Sequence, residues 1–255
     1  ADGATTRMEM RPQAGWSSFS AADEPYGFWQ ALELDDAGQP THTRVQRLDE
    51  TRSADTPAYL VSDAHSRYGL DGWRITRDVE TDGVWSRTWT IREAGQTVAE
   101  VDGATGVVRW WATATGRAEV GGRRLVYRRD HLGTVRAVQS VEGGGAVVEA
   151  RDVYPFGVSM PGRVYAEGPP TREHFTGHDL DAETGMLYAG ARYYMSALGR
   201  WTSVDPLANK FPVYSSYNYV LNDPLSSTDP DGMLPDSLIY NHDTKEITRY
   251  ETGGE

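Results

Sequence analysis

The chain has 255 residues, no cysteine and a formal net charge of -12. Without Cys there is no disulfide, no Cys-ligated zinc, no iron–sulfur centre and no Cys nucleophile. The acidic balance disfavours a nucleic-acid backbone as partner, because phosphate binding needs clustered Lys and Arg.

No apolar run approaches the ~18 residues that a membrane-spanning helix needs. A hydrophobic fraction of 38%, with 8 Trp, 14 Tyr and 27 Gly, points instead to β-hairpins that pair aromatic side chains across strands. The chain opens ADGATTRMEM, without an initiator Met or a leader, and reads as a processed product or a fragment of a longer protein. In residues 1–60, Trp16, Phe19, Tyr26, Phe28 and Trp29 mark strands. Alternation from Phe28 to Leu34, a turn at Asp36-Ala37-Gly38 and a second run from Thr43 to Leu48 predict one hairpin. Residues 48–58 are polar and Pro-terminated, and read as a loop.

From Trp73 a turn recurs about every ten residues. The turns fall at Asp82-Gly83, Ala94-Gly95, Ala104-Thr105-Gly106, Gly121-Gly122, Leu132-Gly133 and Gly143-Gly144-Gly145. TVAEVDGATGVVRWW and TVRAVQSVEGGGAVVEA are similar units, each a strand, a glycine turn and a strand. A lone hairpin is marginal in water, so neighbours must stack, and a winding sheet is expected rather than a sandwich. The basic run RRLVYRRDH, with Arg123, Arg124, Arg128 and Arg129, reads as a charged strand face. Residues 158–172 hold Pro161-Gly162 and Pro169-Pro170 and read as a loop or partial break. GMLYAGARYYMSA alternates as a strand. VYSSYNYVLND spaces Val213, Tyr217, Val220 and Leu221 at helical intervals and is predicted helical, ending at Asn222 and Pro224. After Gly232, SLIYN and KEITRYE predict a hairpin around HDT.

Three ordered runs carry a resemblance: DHLGTVRAV…YPFG (130–157), FTGHDLDAETGMLYAGARYYMSALGRWTSVDPL, and NYVLNDPLSSTDPDG. Together they resemble the core-associated domain of the RHS/YD-repeat family, which includes bacterial polymorphic toxins and the C subunit of insecticidal toxin complexes. The motifs cover the chain from Tyr127 to Gly232. The resemblance implies a mainly β fold: YD-repeat hairpins at 73–157 forming a winding sheet, then a core-associated plug of loops and short helices at 158–232. Residues 233–255 would begin a variable C-terminal region; residues 1–72 match no motif and stay an unassigned β-rich segment, with degenerate YD repeats one reading of it. The implied role is part of a secreted bacterial shell that encapsulates or presents a C-terminal effector. The partners are then that effector and the remainder of the shell, or another protomer, covering the sheet edges. At this length the chain is expected to be too short to close a shell alone. Twenty-three residues after Gly232 are too few for an enzyme, so any toxin is expected beyond them. No cofactor is implied.

In many members of that family the core is an aspartyl self-protease cutting just after a D-P-x-G motif. Here that motif is Asp229-Pro230-Asp231-Gly232, and Met233 stands where the family usually has Leu. The aspartate of its G-R-[FW]-x-[ST]-x-D-P run is Asp205, after Gly199-Arg200-Trp201. The resemblance thus implies a cut near Gly232–Met233 or Met233–Leu234, with Asp205 and Asp229 catalytic. Two carboxylates held close do not both ionise cheaply, so one can donate a proton while the other activates a nucleophile. Each is followed by proline, which biases the aspartate towards extended backbone. Asp before Pro is also ordinary turn chemistry, and the residues alone leave both readings open. Asp223, before Pro224, reads as a helix-end or turn residue. Arg192 and Arg200 are candidate supports that orient a carboxylate, or alternatively plain salt bridges. His174 and His178 are four apart, but the strand pattern and Gly177 oppose a helical zinc site, and no metal is expected. Asp229 and Asp231 lack the remainder of a calcium loop. No phosphate-binding loop and no nucleophile elbow occur.

Overall fold

Short runs of β-branched and aromatic residues separated by glycine become antiparallel strands that pair with their neighbours in chain order. The computed structural model describes residues 27–34, 40–48, 59–69, 72–81, 83–93, 95–168, 170–210, 212–233, 238–240 and 247–249. The strands expected around Trp16, Phe19 and Tyr26, the Asp36 turn and the loop at 49–58 lie outside them. Two units are formed, Ala1–Leu125 and Val126–Glu255.

The first unit holds β1 (Gly27–Leu34), β2 (Pro40–Leu48), β3 (Tyr59–Tyr68), β4 (Arg74–Thr81), β5 (Val84–Glu93), β6 (Gln96–Asp102), β7 (Val108–Thr113) and β8 (Gly116–Glu119). Each pairs antiparallel with the next. Register shifts at Glu33/Leu34, Val45/Gln46, Arg67/Tyr68, Ile91/Arg92 and Glu100/Val101 add local twist and bend the strands. The predicted β1–β2 hairpin is present. So is a hairpin that sequence reading missed, between Thr113 and Gly116. Its central residues, Ala114 and Thr115, are not at positive φ, so neither position calls for glycine. Buried Trp110 lies directly across from buried Glu100, and the indole Nε1 donates to Glu100 Oε2 at 2.7 Å. On the open side of β5, Trp85, Trp89 and Ile91 are exposed, and Arg87 makes a two-pronged bond to its cross-strand partner Asp78, 2.6 Å in each arm.

The second unit begins within β9 (Arg124–Arg129) and continues through β10 (Val135–Ser140), β11 (Ala146–Val153) and β12 (Ser159–Ala166). The expectation of a loop over 158–172 is corrected here: most of it is strand β12. Among the described residues β12 pairs on one side only, with β11. Proline lacks an N–H for the ladder and is tolerated on such an edge, so Pro161 does not break the strand. A 3-10 turn, Phe175–Gly177, leads to four short strands in chain order: β13 (Asp179–Asp181), β14 (Met186–Tyr188), β15 (Tyr193–Met195) and β16 (Arg200–Trp201). The tyrosine run is therefore two strands rather than one, turned at Gly190, whose φ is +97°. The helix expected over 213–223 is absent. Val220–Asn222 is a single 3-10 turn, with Val220, Leu221 and Asn222 all at positive φ. Val213 is 84% exposed while Val220 is 2% exposed, so the spaced apolar residues do not share a face. The tail forms the expected hairpin, β17 (Leu238–Tyr240) with β18 (Ile247–Arg249).

The core of this unit is Phe175, Leu187, Ala189, Tyr194, Trp201, Tyr219 and Val220, with Val153, Phe156 and Leu180 packed against it. The Tyr194 ring lies tilted 4.4 Å from that of Tyr219 and edges onto Trp201 at 5.5 Å, and its hydroxyl donates to the Phe156 carbonyl at 2.9 Å. Gly157 explains the YPFG turn: its φ is +89°, and a Cβ there would stand 2.6 Å from the Phe175 ring.

Candidate functional site

Arg192 is the centre of the site. It sits at the turn between β14 and β15, where the Ala189 N–H donates to the Arg192 carbonyl at 3.1 Å. Its side chain is 1% exposed, and the guanidinium lies over the Trp201 ring, 4.3 Å from the centroid. A buried guanidinium needs a partner for every donor. Nη1 donates to the Ser216 carbonyl at 3.2 Å, and Nε donates to the Gly232 carbonyl. Nη2 faces both candidate carboxylates, Asp205 Oδ2 at 2.8 Å and Asp229 Oδ2 at 3.4 Å. The two acids therefore meet on one nitrogen, no farther apart than the sum of those distances.

Each acid keeps its turn role as well. Asp205 Oδ1 accepts from the Leu207 N–H at 2.7 Å, and the Asp205 N–H donates to the Ser216 carbonyl at 3.0 Å. Asp229 Oδ1 accepts from the Gly232 N–H at 2.9 Å and the Met233 N–H at 3.0 Å. Asp231 Oδ1 also accepts from the Met233 N–H, at 2.9 Å, while the Ala191 N–H donates to the Asp231 carbonyl. The Gly232–Met233 peptide is thus held at both ends, its oxygen by Arg192 and its nitrogen by two aspartates. Gly232 has φ +78°, and a Cβ would lie 3.0 Å from the Arg192 backbone nitrogen, so this close approach requires glycine.

Burial sets the electrostatics. Asp229, 1% exposed, is pushed up to about 7 by desolvation, against the downward pull of Arg192 and with further upward repulsion from Asp231 and Asp205. Asp205 is raised too, by burial first, with Arg192 opposing. Burial lowers Arg192, and the two aspartates offset part of that. Asp205 lines a small cleft with Arg192, Asp229, Tyr214, Ser216 and Asn218. Buried His178 packs edge-on to Trp201 and is held down to about 4 by desolvation, so it is neutral at physiological pH.

The structure brings together Asp205, Asp229, Arg192, Gly232 and Met233. Arg200 is exposed on β16 and joins neither acid among the described residues. Leu234 lies outside the described residues. Asp223 follows the 3-10 turn, where its N–H donates to the Val220 carbonyl, as a turn residue does. His174 and His178 do not share a ligand cluster among the described residues. Residues that sequence reading did not assign to the site are Asp231, Trp201 and Ser216. Asp231 and Trp201 were visible inside the quoted motifs, whereas Ser216 contributes only a backbone oxygen and leaves no sequence signal.

Fold and site together define an open antiparallel β protein whose closing segment gathers two acids and a glycine turn around one buried arginine. No family model matches the chain. It is 39% identical over 97 residues to toxin subunit YenC2 of Yersinia entomophaga, covering 37% of this chain and 10% of that protein. It is 36% identical over 112 residues to salivary gland surface protein 1 of Aedes aegypti, covering 43% of this chain and 3% of that protein. The crystal structure of TcdB2-TccC3-TEV superposes on 80% of this chain and 10% of its own, with a TM-score of 0.59 and 18% identity. The chain therefore has the fold of one segment of that complex and spans a tenth or less of these proteins. A toxin subunit thus stands among the relatives, in line with the coarse expectation from the resemblance.

Proposed function

We propose that this chain is the terminal part of an RHS/YD-repeat shell in a secreted toxin-complex-like protein, and that its closing segment cuts the chain once beside Gly232. The observation that carries this reading is the convergence of Asp205, Asp229 and the Gly232 carbonyl on Arg192.

Hydrolysis of the Gly232–Met233 bond needs a polarised carbonyl, an activated water and a proton for the leaving nitrogen. Arg192 Nε donates to the carbonyl oxygen and is positioned to stabilise the charge that develops there. Asp229 keeps a proton to near-neutral pH, and its Oδ1 accepts the Met233 N–H at 3.0 Å, so the carboxyl stands beside the nitrogen it would protonate once that nitrogen turns pyramidal. Asp205, on the cleft side and ion-paired to Arg192, takes the proton of the attacking water. The water oxygen bonds to the Gly232 carbon, the C–N bond breaks, and the products are a carboxyl at Gly232 and an amine at Met233. The acids titrate as a coupled pair.

The released or presented segment would start at Met233, with the effector following. The remainder of the shell would pair with the free side of β12, an edge that otherwise invites unspecific pairing. A non-catalytic reading is favoured by one observation, the similarity to a salivary gland surface protein. In it the same arginine simply locks the plug.

Mass spectrometry of wild type, Asp205→Asn and Asp229→Asn distinguishes the two. Self-cleavage gives a wild-type product ending at Gly232 or Met233 and full-length chains for both variants. One identical full-length mass for all three leaves only the scaffold role.

A further inference from the structure

We propose that His42, Asp63 and His65 form a binding site for a divalent transition-metal ion, with zinc the best chemical match. In the first unit, His42 on β2 stands directly opposite His65 on β3, and Asp63 lies two residues away from His65. Successive side chains alternate across a strand, so Asp63 and His65 project on one face. The imidazoles stack, with centroids 4.2 Å apart and planes 15° from parallel. Both Nε2 atoms turn towards one carboxylate oxygen: His42 Nε2 is 2.5 Å and His65 Nε2 is 3.6 Å from Asp63 Oδ1. All three donor atoms lie within 4.8 Å of one another.

The chemistry suits zinc. Neutral imidazole nitrogen and carboxylate oxygen bind it at roughly 2.0–2.2 Å, so two ligands of one ion lie at most about 4 Å apart. The His42–Asp63 and His65–Asp63 separations bracket what a tetrahedral ion requires. The His65 side chain is 46% exposed and free to swing the remaining distance, whereas that of Asp63 is only 12% exposed and that of His42 17%, which anchors them. A single His–Asp hydrogen bond accounts for His42 alone. It gives no reason for a second imidazole stacked on the first with its nitrogen aimed at the same oxygen. Three protein ligands leave a fourth position open to water on the exposed side of His65. The Trp85 ring, 5.5 Å from that of His65, backs the site from β5. The sequence shows no such cluster, because residues 42 and 63 become neighbours only through strand register.

Untagged full-length protein, stripped with chelator, is titrated with zinc chloride against a chromophoric competitor. Wild type binds one equivalent that is lost in the His42→Gln/His65→Gln double variant. Loss of an outer-shell partner alone typically costs roughly 10- to 100-fold in affinity, and removal of a direct ligand in either single variant should cost at least as much. The melting temperature of wild type rises with zinc concentration, because the ion binds the folded state, and that of the double variant does not. His65→Gln alters a half-exposed side chain and keeps the assay interpretable if His42→Gln is poorly folded. Equal stoichiometry in wild type and double variant, or the same zinc-dependent shift in both, overturns the proposal.

Discussion

Replacing Asp229 by Asn tests the proton-donor role through stability as well as through cutting. Asn keeps Oδ1 as the acceptor for the Gly232 and Met233 N–H groups, and it resembles the protonated acid in shape and charge. Burial holds Asp229 at about 7 in the folded chain, against about 3.9 for an exposed aspartate. A raised acid binds more protons folded than unfolded between those two values. Its contribution is therefore most favourable below about pH 3.9 and is lost as the pH rises through about 7. At 1.36 kcal/mol per unit, a gap of about three units costs the ionised wild type about 4 kcal/mol above neutrality. Asn pays none of it. Urea unfolding from pH 4 to pH 8, on chains whose length is checked by mass, is expected to give near-equal stability at pH 4. At pH 8 the variant should be the more stable by up to about 4 kcal/mol. Asp205 is raised as well, so a residual slope of the same sign persists in the variant. If Asp229→Asn is instead the less stable protein at pH 8, with the gap closing towards pH 4, Asp229 is an ordinary ion-paired carboxylate and cannot deliver a proton to Met233.

Gly157→Ala is expected to lose several kcal/mol, about 1–2 from left-handed backbone and about 1–3 from overlap with the Phe175 ring. Gly144→Ala, also at positive φ but facing open space, should lose only the backbone part, and thermal melts of the two separate the contributions. In the first unit, Trp110→Phe removes the indole donor from buried Glu100 and should cost about 1–3 kcal/mol. Adding Glu100→Gln should recover part of that in denaturant melts, because a neutral amide is cheaper to bury than a carboxylate. No recovery would mean that the loss comes from ring packing.

Much of the fold was legible because it rests on local properties. Strand alternation has a period of two, and glycine at positive φ marks turns, so the β1–β2 hairpin and the turns at Gly83, Gly95 and Gly106 could be read directly. The errors share a cause. Val213, Tyr217, Val220 and Leu221 have helical spacing, but the Ser216 carbonyl between them is taken by Arg192 and by the Asp205 N–H, and Tyr219 is drawn into the aromatic core. Those contacts come from residues elsewhere in the chain, and they outweigh a weak local propensity. Pro161 read as a break because a sequence does not reveal which strand is an edge.

Composition and motif order determined the mainly β character, the absence of cysteine chemistry and the two proline-followed acids worth watching. Only the folded chain decided that Asp205 and Asp229 share one nitrogen of Arg192, that Trp201 backs it, and that His42 meets Asp63 and His65. The reason is physical. Turns and alternation are written in neighbouring residues, whereas desolvation and strand register depend on which distant segments exclude water from one another.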